Sequence, residues 1–163
     1  MQILVLYFSK GGNTKKLAEA IQEGVERVEG VAGVLKHTDD VTKEDFVTSA
    51  GIIAGSPVYF GVMAAQLKKI FDEFVSVRKK MEGKVGAAFA TSADPSGGKE
   101  TTMMSIIQVM LIYGMIIVGD PMSATGHFGT ACVGAPDSGC LENGIKLGQR
   151  VAKLAKKLAA YKE

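Results

Sequence analysis

Residues 3–8, ILVLYF, form an unbroken apolar run of strand length, and the next six positions are Ser9, Lys10, Gly11, Gly12, Asn13 and Thr14. A strand covered on both faces reads this way, because neither face can afford alternating polar side chains. Immediately behind the loop, Leu17, Ala20, Ile21 and Val25 recur at helical intervals. Strand, glycine loop and helix in direct succession restrict the chain to folds in which a helix crosses back over a parallel sheet.

The rest of the chain repeats the alternation. A weaker strand is expected over residues 32–36, a short helix or turn over 41–49, and a third strand over 51–56 that ends in the loop Pro57, Val58, Tyr59, Phe60, Gly61. From 64 to 80 the residues Leu67, Ile70, Phe71, Phe74 and Val77 predict one continuous amphipathic helix. A fourth strand is expected at 85–91, a helix from about 100 to 114 and a fifth strand at 115–118. Residues 119–138 are rich in glycine and proline and read as an irregular lobe, and 141–160 predict the closing helix. This order gives an α/β fold with a doubly wound, five-stranded parallel sheet in three layers, folded as one domain over residues 1–163.

Composition removes several classes of function. Net charge is +2 with pI about 8.5, too mild for a nucleic-acid surface. Lys146, Arg150, Lys153, Lys156 and Lys157 alternate with Leu147, Val151, Leu154 and Leu158, which describes the solvated face of a helix. No apolar run reaches the roughly 18–20 residues that span a bilayer, so no membrane insertion is expected. The N-terminal residues lack the basic and small-residue pattern of an export signal, which makes a cytoplasmic location the expectation. Cys132 and Cys140 lie eight apart without CxxC spacing and read as ordinary loop thiols; a disulfide between them is geometrically possible but unusual in a cytosol. No metal site is expected.

The unusual loops follow strands one, three and four. In a sheet of order 2-1-3-4-5 the crevice at the carboxyl ends opens where strands one and three diverge, with strand four beside them, so these loops converge. In the first loop, adjacent glycines, Asn13 and the hydroxyls of Ser9 and Thr14 sit at a helix N-terminus, where backbone amides and the helix dipole hold phosphate without a metal. Tyr59 and Phe60 either stack on a planar ring or pack inward. Ser92, Ala93, Asp94, Pro95, Ser96 and Gly97 offer backbone donors without bulk. A dinucleotide GxGxxG is absent, since no two glycines are two apart, and a Walker loop fails because Gly98-Lys99 is followed by Glu100 and Ala93 replaces the first glycine.

Taken together, Ser9 to Thr14, the stretch GSPVYFG at 55–61 with MAAQL at 63–67, the segment TSADPSG at 91–97 with Gly98-Lys99-Glu100-Thr101, and YGMIIV at 113–118 resemble the flavodoxin-like quinone reductases of the tryptophan-repressor-binding-protein family, across essentially the whole chain. The Gly-Asn-Thr ending of the first loop also resembles flavodoxins proper. The resemblance implies noncovalent FMN, with Ser9, Lys10, Gly11, Gly12, Asn13 and Thr14 at the phosphate, Pro57, Val58, Tyr59, Phe60 and Gly61 at the ring, and the 92–97 loop at its polar edge. It implies two-electron transfer from NADH or NADPH to a quinone-like acceptor, no catalytic side chain, and a homodimer or homotetramer. Family members commonly carry histidine near the end of the fourth helix, where this chain has Ile112 and Tyr113, and their lobe around 119–129 is longer. The rival reading is a flavodoxin-type electron carrier, which the basic pI disfavours. An iron–sulfur flavoprotein would want more thiolates than two. His127, in the lobe, is either a pocket residue or an ordinary loop histidine.

Overall fold

The computed structural model describes residues 1–161. The chain lays down β1 Gln2–Tyr7, α1 Asn13–Glu26, β2 Ala32–His37, α2 Lys43–Thr48, β3 Gly51–Pro57, α3 Ala65–Glu73, a 3₁₀ segment Val75–Met81, β4 Val85–Ser92, α4 Lys99–Ile112, β5 Ile116–Ile117, β6 Gly129–Val133 and α5 Ser138–Ala160. The strands are parallel in the order β2-β1-β3-β4-β5, as the loop positions require, with β6 also paired to β4. Among the described residues no helix is long and apolar enough to cross a membrane.

The pleat sends alternate residues of the central strands to opposite faces, and both faces are buried. Leu4, Leu6, Ile52, Ala54, Ala88 and Ala90 meet Phe46, Phe71, Phe74, Met103 and Ile106 on the side of α2, α3 and α4. Ile3, Val5, Ile53, Ala87 and Phe89 meet Leu17, Ile21, Val25, Leu147 and Val151 on the side of α1 and α5. Two aligned sets of apolar positions, one per face, are why these strands read as continuous runs rather than alternating ones.

Four expectations need correction. The single helix expected over 64–80 breaks at Phe74, which turns out of the helix and buries its ring edge-on against Phe46 at 5.0 Å. The β-branched Val75 and Val77 that follow are weak helix formers, and the chain finishes as a tighter 3₁₀ stretch. The fifth strand expected at 115–118 is only Ile116–Ile117, laddered to Val85 and Gly86. Pro121 cannot donate to a ladder, and Gly119 lies where a Cβ would stand 1.9 Å from the His127 carbonyl, so the chain leaves the sheet and crosses itself. It returns as β6, inside the region read as an irregular lobe, to pair Ala88–Ser92; without it the edge of β4 would leave buried amides and carbonyls unmatched. Finally, Cys132 and Cys140 are not free thiols but a disulfide, with Cα atoms 5.9 Å apart. β6 brings Cys132 beside the first turn of α5, a proximity that the spacing of the two residues does not reveal.

The lobe between β5 and β6 is organised by Asp120, which is 1% exposed. Its carboxylate accepts from the Thr125 amide at 2.9 Å, the Thr125 hydroxyl at 2.6 Å and the His127 amide at 2.7 Å, and its carbonyl accepts from Arg150 at 2.7 Å. Burial pushes the Asp120 carboxyl up, but the hydrogen bonds from Thr125 and His127 outweigh it and hold the group below the usual carboxylate range. A carboxyl depressed in the folded state stabilises above its unfolded value near pH 4, and that contribution drains away as pH falls through the folded value. Asp120→Asn is therefore expected to cost about 2 kcal/mol at pH 7, because an amide NH₂ then faces a donor. Urea unfolding at pH 7 and at pH 3 checks this, the gap between the two proteins narrowing at the lower pH.

Candidate functional site

The loop between β1 and α1 is the most distinctive part of the sheet's carboxyl edge. Gly12 precedes α1 with φ of 90°, a left-handed conformation that suits glycine, and α1 has neither a side-chain cap nor an acidic residue in its first turn. α3 and α4 likewise start without a side-chain cap, whereas Thr42 and Asp45 form a reciprocal capping box on α2 and the Asp137 carboxylate accepts from the Cys140 amide on α5. At α1 the positive end of the dipole faces a concavity instead. A Cβ built on Gly11 or on Gly12 would meet nothing within 4 Å. Ser9 braces the turn by accepting from the Gly12 amide at 3.1 Å.

Loop two is locked from behind. The Ser56 hydroxyl accepts from the Ala64 amide at 2.8 Å and donates to the Pro57 carbonyl at 2.7 Å, and the Val58 amide donates to the Thr91 carbonyl at 2.8 Å. Tyr59 and Val62 exchange backbone hydrogen bonds around a tight turn whose central residues, Phe60 and Gly61, both have positive φ, 52° and 79°. For Phe60 that conformation costs roughly 1–2 kcal/mol. The side chain gains no intramolecular burial in return, being fully exposed. Tyr59 stands edge-on to Phe8, with ring centroids 6.3 Å apart, and Phe8 in turn lies 5.6 Å from His37.

The Thr101 hydroxyl donates to the Gly61 carbonyl at 2.6 Å and to the Gly98 carbonyl at 3.0 Å, stitching loop two to the start of α4. Loop three folds tightly on itself. Ser92 Oγ donates to the Asp94 carbonyl at 2.6 Å and accepts from its amide at 3.3 Å, the Ser96 amide donates to Asp94 Oδ1 at 2.8 Å, and the Gly97 amide donates to the Asp94 carbonyl at 3.0 Å. The amides of Asp94, Ser96 and Gly97 are thus engaged within the loop.

Ser9, Lys10, Gly11, Asn13, Thr14, Pro57, Val58, Tyr59, Ser92 and Ala93 line one cleft of about 180 Å³. Phe60 lines an adjoining apolar cavity of about 710 Å³, with Tyr59 shared between the two and Val62, Met63, Gln66 and Gln108 completing much of its wall. Gly12, Gly61, Asp94, Pro95, Ser96 and Gly97 shape the loops without lining the small cleft. Thr91 also lines the cleft and was not anticipated; its hydroxyl pairs with that of Thr14 at 2.8 Å, buried, tying the first loop to β4. A hydroxyl closing an otherwise apolar strand was the one available signal for it. His127 lies apart, on a cavity of about 270 Å³ shared with Lys99, Glu100 and Asn143. Tyr113 sits at the other end of α4, 4% exposed, its hydroxyl donating to the Phe71 carbonyl, and burial pushes its pKa up to about 12.

The family model for NADPH-dependent FMN reductases matches residues 34–130 of this chain, more than half of its 163 residues. The chain belongs to the NADPH-dependent FMN reductase family. Within that family setting its relatives carry different names. An NAD(P)H dehydrogenase (quinone) of Archaeoglobus fulgidus is 35% identical over 188 aligned positions that cover 96% of this chain and 98% of the relative. A flavodoxin of Aquifex aeolicus is 34% identical over 161 positions, covering 93% and 87%. Among solved structures, the flavodoxin, WrbA-like protein of Agrobacterium tumefaciens superposes with a TM-score of 0.83 at 26% identity, covering 96% of this chain and 98% of that one. The flavodoxin-like fold and the likeness to the tryptophan-repressor-binding-protein family, both read from the loops, hold for this FMN reductase relative.

Proposed function

We propose that this chain is an FMN-dependent oxidoreductase that passes two electrons from NADH or NADPH to a quinone-like acceptor. The observation that carries this reading is the uncapped start of α1 above the open concavity of Gly11 and Gly12, a site that asks for an anion from outside the chain. The cleft fits FMN in kind: amides and hydroxyls at one end for phosphate, and Tyr59 at the other as an apolar wall. FMN, when bound, supplies the redox chemistry, accepting hydride from the nicotinamide and yielding electrons to the acceptor.

The residues then have defined tasks. Ser9, Gly11, Asn13 and Thr14 bind the phosphate on the turn that Gly12 shapes, with Lys10 adding charge; Pro57, Val58 and Tyr59 flank the ring on the turn that Phe60 and Gly61 complete; Ser92 and Ala93 bound its polar edge at the start of the loop that Asp94, Pro95, Ser96 and Gly97 close. None has to donate or remove a proton, so no side chain is assigned as catalytic. The adjoining cavity under Tyr59 and Phe60 is the place for the acceptor, being apolar and open. Exposed Phe60 and Val62 beside it favour a homodimer or homotetramer that covers this face. We place the protein in the cytoplasm and treat residues 1–163 as one flavodoxin-like domain.

The flavodoxin relative favours a second reading, a carrier with no nicotinamide oxidation of its own. One assay separates them: FMN-loaded protein is mixed with NADH or NADPH, with and without benzoquinone, and absorbance at the nicotinamide and flavin bands is followed. Rapid nicotinamide oxidation that depends on benzoquinone is the expected result. A flavin that neither nicotinamide bleaches would identify the carrier.

A further inference from the structure

The Cys132–Cys140 disulfide lies outside the chemistry proposed above, yet it is joined to the cleft by short, specific links. Cys132 stands in register with Thr91 on the neighbouring strand, and Val133 with Ser92. Thr91 holds the first loop through Thr14 at 2.8 Å, and Ser92 is the pivot on which the third loop folds. The disulfide closes the turn between β6 and α5, and within that turn the Gly134 amide donates to the Ser92 carbonyl at 2.7 Å. Gly134 itself has φ of 68°, so the turn depends on a conformation that must be held in place. Access to the bond is one-sided: Cys132 is 3% exposed, whereas Cys140, in the first turn of α5, is half-buried.

We propose that Cys132 and Cys140 form a reversible thiol–disulfide site, opened by a cellular dithiol, whose state sets how tightly the cleft holds its flavin mononucleotide. This rests on the FMN reading given above. Access directs the incoming thiolate to Cys140 Sγ. A bond forms from the reductant's sulfur to Cys140, the Cys132–Cys140 bond breaks, and its electron pair leaves on Cys132 Sγ, which takes a proton in its buried setting. The reductant's second thiolate then attacks its own sulfur in the mixed disulfide and releases Cys140, which is protonated in turn. The two cysteines gain two electrons and two protons, and the dithiol departs as its cyclic disulfide. Once open, residues 133–139 are no longer closed into a ring, the Gly134 amide is free to leave Ser92, and the third loop loses its brace.

The test uses the full chain. FMN affinity is measured by quenching of flavin fluorescence before and after treatment with a phosphine reductant, while accessible thiols are counted with a chromogenic disulfide under denaturing conditions. The expected result is a thiol count rising from none to two, with FMN binding weakened about fivefold. A Cys140→Ser variant, kept folded by the same sheet, should bind FMN like the reduced protein and ignore the phosphine. Equal FMN affinity in the two states, with the thiols demonstrably released, would overturn the proposal, and so would two free thiols in protein purified in air. Absence of FMN binding in both states would overturn the flavin reading as well.

Discussion

Replacing Gly11 by aspartate is expected to leave the fold intact and to weaken FMN binding by at least about a hundredfold. A Cβ at position 11 meets nothing within 4 Å, so the new side chain has room without disturbing its neighbours. Its carboxylate would, however, stand in the concavity at the start of α1, where the proposed reading seats the phosphate against the helix dipole. At a separation near 5 Å and an effective dielectric of about 20, each unit of like charge costs about 3 kcal/mol, which is about two powers of ten in affinity. Gly11→Ala, which adds volume without charge, should bind FMN nearly as well as the parent. Thermal unfolding of the FMN-free proteins, unchanged by either substitution, separates a charge effect from damage to the fold.

The largest loss of stability is expected from Gly148→Val. Helices α1 and α5 touch backbone to backbone: a Cβ on Gly148 would lie 2.1 Å from the Ile21 carbonyl oxygen and 2.9 Å from the Val25 amide, and a Cβ on Gly24 would lie 2.0 Å from the Ile145 carbonyl oxygen. Backbone cannot move aside as a flexible side chain does, so the helices must separate and the layer of Leu17, Ile21, Leu147 and Val151 beneath them loosens. A cost of about 3 kcal/mol follows, equivalent to a fall in Tm of roughly 6–12 °C for a chain of this size. Differential scanning calorimetry of the FMN-free protein reads it directly. A variant as stable as the parent would mean that α1 and α5 do not meet at these glycines.

These two glycines also mark the boundary of what the sequence discloses. The opening strand, the helix behind its loop and the closing helix expected over 141–160 are visible because apolar spacing carries them, and the loop because glycines and hydroxyls crowd it. The sheet order follows from where the glycine- and serine-rich loops fall, and that in turn brings Ser9, Lys10, Asn13, Thr14, Tyr59 and Ser92 to one cleft. What stays hidden depends on partners distant along the chain. GTACV at 129–133 has no periodicity of its own and becomes a strand only because β4 offers an open edge. The disulfide depends on that strand, since only β6 brings Cys132 to the start of α5. The break at Phe74 depends on Phe46, and the part played by Thr91 on Thr14. In each case the deciding contact is tertiary, and local pattern alone does not determine it.

The central claim is that the first loop grips a phosphate. Comparing FMN with riboflavin, which shares the ring and lacks the phosphate, tests it most directly by fluorescence titration of the FMN-free protein at matched ionic strength. FMN should bind at least about a hundredfold more tightly, with the difference shrinking as salt is added. Equal affinity for the two flavins would contradict the claim, leaving the uncapped helix without a ligand to explain it.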